Sequence, residues 1–308
     1  MKIRLGYACI SETLDKVTSS STYTYTLYLK EKDDKKLDNI IISNFFDLEK
    51  ILTYNVRNNI HFYRMSSNII PLATKKEVQF DYIENYKDHY TRIGNFINKN
   101  NLRVDFHPSE YCVLNSVNKE VVENSIEILN YHYNLLENFH IKDKVLILHI
   151  GSNTFGKEKS LTRFINNFKK LPKYLQECIV VENDDKIFTI EDCLYLNKKL
   201  GIPICLDYHH HQCNPSNISY EKIINSWNTT PKIHFSSPKN KTKKEFRSHN
   251  DYIDSDQFIK FLEEIKYLNC DIDIMIEAKK KDEALFRLVR QLKYKTNYKF
   301  IDDTTFII

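Results

Sequence analysis

The chain has 308 residues, a net formal charge of +4, 42% hydrophobic and 28% charged residues, which suits a soluble globular protein with room for one large α/β barrel or two smaller domains. No apolar run approaches the ~20 residues of a membrane span, and the start, Met1 to Gly6, lacks a signal peptide's apolar core, so the expectation is a cytoplasmic protein with no membrane contact. Seven scattered cysteines without a CxxC pair exclude a disulfide framework or a thiolate zinc site, and the mild positive charge permits a polyanionic partner without requiring one.

The first apolar run, residues 3–8, predicts a strand, and the polar stretch 12–36 after it a long loop on the catalytic side. Further runs at 62–65, 102–106, 145–150, 178–181, 202–206, 232–235 and 272–276 make eight candidate strands. Helical stripes lie between them: Ile83, Tyr86, Tyr90, Ile93 and Ile97; then Val122, Ile126, Leu129, Tyr133 and Leu136; and last Leu285, Leu288 and Leu292. Eight strand–helix units in about 300 residues predict a single (β/α)8 barrel spanning 1–308. A doubly wound sheet is the alternative. The barrel is preferred because polar residues follow nearly every run.

In a barrel, catalytic groups stand at the C-terminal ends of different strands. Those ends carry His107, His149, Glu182, Asp207 with His209 to His211, His234 followed by His249, and Glu277. Any one histidine is better read as structural. As a set, so much charge and imidazole converging on one axial point requires a cation. His61, His89, His132 and His140 lie elsewhere and read as surface or capping residues. The donors are all N or O, which suits zinc or manganese. Seven or more of them exceed what one zinc takes, so two or three metals are implied, a feature of phosphodiester chemistry. Glu182 and Glu277 fall on strands five and eight, nearly opposite around the ring, where each can bridge cations.

Lys232 lies two residues before His234 and faces the same side. An ammonium beside metals is unfavourable, which leaves three outcomes: it points away, it is neutral, or it carries a carbamate. Residues 239–247 hold five positive charges (Lys239, Lys241, Lys243, Lys244 and Arg247) and lead into His249. A solvated loop and a phosphate-contacting loop are about equally supported.

At these residues the chain resembles the UV damage endonuclease family. The matching pieces are Leu5-Gly6-Tyr7, Tyr63-Arg64-Met65-Ser66-Ser67, Ile70-Pro71, His107-Pro108, Leu148-His149-Ile150-Gly151, Glu182-Asn183-Asp184, Asp207 with His210-His211, Asn214-Pro215, Pro231-Lys232-Ile233-His234 and Glu277-Ala278-Lys279. Their order and approximate spacing match over nearly the whole chain. The resemblance implies a TIM-type barrel related in design to endonuclease IV. The implied reaction is incision of double-stranded DNA just 5′ to UV photoproducts (cyclobutane pyrimidine dimers and 6-4 photoproducts), leaving a 3′-hydroxyl and a 5′-phosphate. It implies two to three divalent ions per chain, manganese first with zinc or magnesium as alternatives, and a monomer, nucleoid-associated if bacterial. The implied metal ligands are His107, His149, Glu182, Asp207, His210, His234, His249 and Glu277. Glu182, Glu277, Lys232 and His234 are the implied catalytic groups, and Lys232 matches a lysine that can be carboxylated. Tyr7 and Ser11 match the damage-recognition region, and Glu110 and Tyr111 match a Gln-Tyr pair that probes the lesion. Three departures stand out. Glu110 replaces Gln, Ser11 stands where some relatives have Asn, and Asn68 stands where some have a histidine ligand.

Two other functions compete with this one. A sugar isomerase or epimerase on a related barrel also uses His, Glu and Asp at strand ends, but needs an acid/base pair around a small closed pocket. An inactive DNA-binding barrel would leave buried charge unused at a cost.

Overall fold

All eight predicted runs form strands in the computed structural model, which describes every residue except Gln79, Lys241, Lys243 and Lys244. They are β1 (Lys2–Ala8), β2 (Phe62–Arg64), β3 (Arg103–Asp105), β4 (Leu146–His149), β5 (Ile179–Glu182), β6 (Ile204–Asp207), β7 (Lys232–Phe235) and β8 (Ile272–Ile276). These eight are parallel in the order β3-β2-β1-β8-β7-β6-β5-β4. The ring closes between β3 and β4 through one bridge, Phe106 to Leu146. Two hydrogen bonds make that seam, Phe106 N–H to Val145 O at 3.2 Å and Ile147 N–H to Phe106 O at 3.0 Å. A short hairpin unforeseen in the sequence, β9 (Lys299–Phe300) and β10 (Thr305–Ile307), pairs antiparallel with Lys2 to Arg4.

The surrounding helices are α1 (Tyr25–Glu31), α2 (Asp34–Arg57), α3 (Tyr82–Asn85), α4 (Lys87–Lys99), α5 (Lys119–Asn138), α6 (Lys157–Phe168), α7 (Lys173–Cys178), α8 (Ile190–Leu200), α9 (Tyr208–Cys213), α10 (Tyr220–Ile224), α11 (Ser255–Ile265) and α12 (Lys281–Lys295). The segment predicted as a loop over 12–36 therefore holds a helix and the start of another. The Thr24 and Asp33 side chains accept the Leu27 and Lys36 N–H groups, which supplies the caps both helices need. The stripe from Tyr86 to Ile97 is buried as expected, but Ile83 belongs to α3, a separate turn capped by Asp81.

In α5 the buried face is rotated from the predicted one. It runs through Ser125, Leu129, His132 and Leu136, while Val122, Ile126 and Tyr133 are half-buried. His132, expected at the surface, is in the core with its ring 5.1 Å from Phe106 and 4.9 Å from Tyr131. Its Nδ1–H donates to the Ile128 carbonyl at 2.8 Å. Burial pushes this imidazole down to about 4, and Ile128 only partly opposes the fall. The unfolded chain, with an ordinary histidine pKa of about 6.5, binds the extra proton between those values. Stability is therefore complete above about pH 6.5 and falls by up to about 3 kcal/mol as pH drops through 4. Urea titrations at a series of pH values are expected to show this slope, and His132→Gln to flatten it.

Inside the barrel, side chains alternate with those that face the helices. At the floor, Arg4 grips Asp273 with two bonds of 2.6 and 2.7 Å, and Arg103 adds a third at 2.6 Å. One layer up, Lys232 Nζ lies 2.5 Å from Asp105 Oδ2, with both groups fully buried. Phe62 lies under both cations, its ring centroid 4.9 Å from Lys232 and 5.6 Å from Arg103. Gly6 lines the same level, where a Cβ would run into the Phe62 carbonyl. The third layer is the mouth.

Candidate metal centre at the barrel mouth

The last inward position of a strand, or a residue one or two beyond its end, supplies the donors of the mouth. β4 and β5 end in register at His149 and Glu182, and β6 and β7 pair Asp207 with His234. Asp207 then caps α9. Its Oδ1 accepts the His210 N–H at 2.7 Å, which turns the next residues into a helix and brings His210 back over the barrel. Buried Asn183 fixes Asp207 from behind by exchanging two hydrogen bonds with its backbone, at 3.0 and 2.9 Å. His249 is placed by an antiparallel bridge with Pro238.

Two groups of donor atoms result. His107, His149 and Glu182 form one; Glu182, Asp207, His234 and Glu277 form the other, and within each group the donor atoms lie within 4.8 Å of one another. Glu182 belongs to both. Its Oε2 is 2.8 Å from His107 Nε2, and its Oε1 is 2.6 Å from His234 Nδ1. Glu182 and Glu277 stand on strands three apart in the ring, as expected, and both side chains reach His234, whose Nδ1 is 3.2 Å from Glu277 Oε1. His210 and His249 stand at the rim. The His210 ring centre is 5.7 Å from that of His149 and 6.2 Å from that of His249, and His249 Nδ1 is 4.0 Å from Glu277 Oε2. His209 turns away to stack near Phe246, and burial lowers it to about 4. Asn68 is exposed, with its backbone carbonyl accepting from the Asn44 side chain.

The donors fit a cation. His107 Nδ1 lies 3.0 Å from the Pro108 carbonyl, and His210 Nδ1 lies 3.0 Å from the Asn183 carbonyl. A carbonyl only accepts, so both rings carry a proton on Nδ1 and turn Nε2 inward. For His107, Nε2 lies against a carboxylate oxygen of Glu182. A cation bonded to both would occupy the place between them. Asp207 Oδ2 and His149 Nδ1 are buried without hydrogen-bond partners.

The charge balance agrees. Burial would raise Glu182, but His234 and His149 outweigh it and hold the carboxyl well below the ordinary range. Burial likewise opposes ionisation of Glu277, and Arg64 and His234 prevail. Asp207 is pushed up to about 7 by burial, with Glu182 and Glu277 adding to the rise against His210. Burial disfavours the charged form of His210, but Asp207 leads the carboxylates that raise it to about 9. Burial pulls His234 down to about 4, so it remains a neutral donor at ordinary pH.

Arg64 had no role assigned from the sequence. Its Nη2 lies 2.6 Å from Glu277 Oε1 and 2.7 Å from His234 Nε2. Asp105 was likewise passed over. Lys232 faces inward as expected, but its ammonium pairs with Asp105 one layer beneath the donors, so of the three outcomes the geometry favours the one in which it points away. A carbamate there would set a second anion against the Asp105 carboxylate.

Two residues assigned to lesion recognition are elsewhere. Tyr7 shares the parity of Ile3 and Leu5, is fully buried towards the helices, and donates to Asn55 Oδ1 at 2.8 Å. Ser11 is also buried, donating to Asp282 Oδ2 at 2.8 Å and pinning its loop to α12. Glu110 and Tyr111 do stand at the mouth, with Tyr111 74% exposed. Arg247 faces Asp185 at 3.8 Å, and Lys239 pairs with Glu245 at 2.5 Å. Lys241, Lys243 and Lys244 lie outside the described residues.

Among the described residues no helix is long and apolar enough to cross a membrane. The family model for UV-endonuclease UvdE matches residues 3–305. The UV DNA damage endonuclease of Bacillus mycoides (strain KBAB4) is 38% identical over 317 residues, covering 99% of each chain. The crystal structure of SacUVDE superposes with a TM-score of 0.86 at 33% identity, covering 95% of this chain and 98% of that one. Endonuclease IV from Thermus thermophilus shares the fold, with a TM-score of 0.58 at 12% identity over 94% and 98% of the two chains. A barrel whose mouth gathers these donors and whose sequence matches end to end belongs to the UV-endonuclease UvdE family, a family of DNA-cleaving hydrolases.

Proposed function

We propose that this chain cuts double-stranded DNA immediately 5′ to UV photoproducts, including cyclobutane pyrimidine dimers and 6-4 photoproducts. The products would carry a 3′-hydroxyl and a 5′-phosphate. The observation that carries this reading is the sharing of Glu182 between two donor groups at the mouth, as multinuclear phosphodiester chemistry requires. Two to three divalent ions are proposed, manganese first. Bound there, they would polarise the phosphoryl oxygens and lower the pKa of a water nucleophile.

The chain's own residues then have distinct roles. Glu182 bridges the two donor groups, while His107, His149, Asp207 and His234 complete them, with His210 and His249 at the rim. Glu277 is held in place by Arg64. Lys232 is held beneath the donors in a buried ion pair with Asp105. The exposed Tyr111 ring is placed to fill the gap when damaged bases leave the helix, and Glu110 beside it discourages entry of intact duplex.

The test uses a duplex with one cyclobutane dimer, labelled at the 5′ end of the damaged strand. A metal-dependent cut directly 5′ to the dimer, with an end that polymerase extends and with activity lost in EDTA and restored by Mn, is expected. Equal cutting of undamaged duplex, or cutting unaffected by EDTA, would refute the proposal.

A further inference from the structure

Phe155 is as exposed as Tyr111, at 74%, and no role has been given to it. It stands six residues after His149, on the loop that joins β4 to α6. Its φ is +65°, a left-handed backbone that bulky L-residues seldom adopt. The ring gains no burial in return for that strain.

The loop is nevertheless well tied. Arg163 donates to Thr154 O at 2.6 Å and to Asn115 O at 2.8 Å, and Gly156 N–H donates to Asn153 O at 3.0 Å. Asn115 and Ser152 exchange two bonds of 2.8 Å, which stitches this loop to the one bearing Tyr111. Gly151, at φ +113°, permits that approach, because a Cβ there would meet the Asn115 and Val113 side chains. Both loops line one cleft of about 320 Å³ that includes Glu110 and His149. A strained, solvent-facing aromatic on a fixed loop beside a reactive centre is the form a binding contact takes.

We propose that Phe155 is a second stacking residue, which receives a base displaced when bound DNA opens; this rests on the DNA-cleaving function above. A phenyl ring offers no hydrogen bond, so it accepts any base. Its loop leaves the mouth just after His149 and, through Gly151 and Ser152, lines the cleft that holds Glu110.

The test uses full-length Phe155→Trp and Phe155→Gly. The chain has one tryptophan, the buried Trp227, so added emission in Phe155→Trp reports on the loop. Emission is expected to be quenched on adding a dimer-containing duplex. Phe155→Gly relieves the backbone, so it is expected to melt at or above the wild-type temperature and to keep its metal content. Its affinity for the same duplex is expected to fall about 5- to 100-fold, from loss of one stacked base. Quenching together with weakened binding supports the proposal whether or not wild type cuts that duplex. Either change without the other, or neither, overturns it. Failure of wild type to cut sinks the wider function separately.

Discussion

Replacing Glu182 with alanine is expected to lower metal content and nicking of UV-irradiated DNA together, by about 100-fold or more at limiting metal. Even a supporting residue behind a ligand costs about 10- to 100-fold in affinity or activity, and Glu182 belongs to both donor groups. Its loss also leaves His107 and His234 without the carboxylate that each faces at 2.8 and 2.6 Å. Glu277→Ala should be milder in metal content, since that residue belongs to one group only. Metal analysis of dialysed protein, alongside a nicking assay at matched Mn, checks both. Near wild-type nicking by Glu182→Ala at limiting Mn would remove Glu182 from the site.

The second large effect is on stability. Asp105→Asn is expected to cost about 3–5 kcal/mol, the usual penalty for stranding one half of a buried ion pair. Lys232 is fully buried, and burial already lowers its pKa against the pull of Asp105. The double variant Asp105→Leu with Lys232→Met should recover most of the loss, as an apolar pair of similar volume often does. Urea unfolding of the metal-free proteins measures both. The sign also reports the state of Lys232. If the amine carried a carbamate, two anions would face each other, and Asp105→Asn would be neutral or stabilising in bicarbonate buffer. A clear loss identifies an ammonium.

The strands were legible because each is a short apolar run with a polar residue at its end, a pattern that barrels repeat. The donors were legible for the same reason: His149, Glu182, Asp207 and Glu277 each break a run at the point where the chain leaves the sheet. Asp105 was not, since its partner Lys232 is 127 residues away. Arg64 was hidden likewise, because one arginine at a strand end says nothing until Glu277 and His234 are seen beside it. Tyr7 was misplaced because closeness to the mouth and orientation towards it are separate facts. The two-residue period assigns it to the helix side. His132 shows the converse, a polar residue used as core because one carbonyl on its own helix satisfies its proton.

The seam between β3 and β4 has a mechanical meaning. Seven of the eight strand junctions are ladders, while this one is a single rung of two hydrogen bonds. His107 and His149 stand on its two banks, and the loops bearing Tyr111 and Phe155 rise from the same banks. An ion held by both histidines would therefore act as a rivet across the least-sewn line of the wall. Loading it would stiffen the rim where a bent duplex would press, and the strength of that rim would depend on metal supply as well as on sequence.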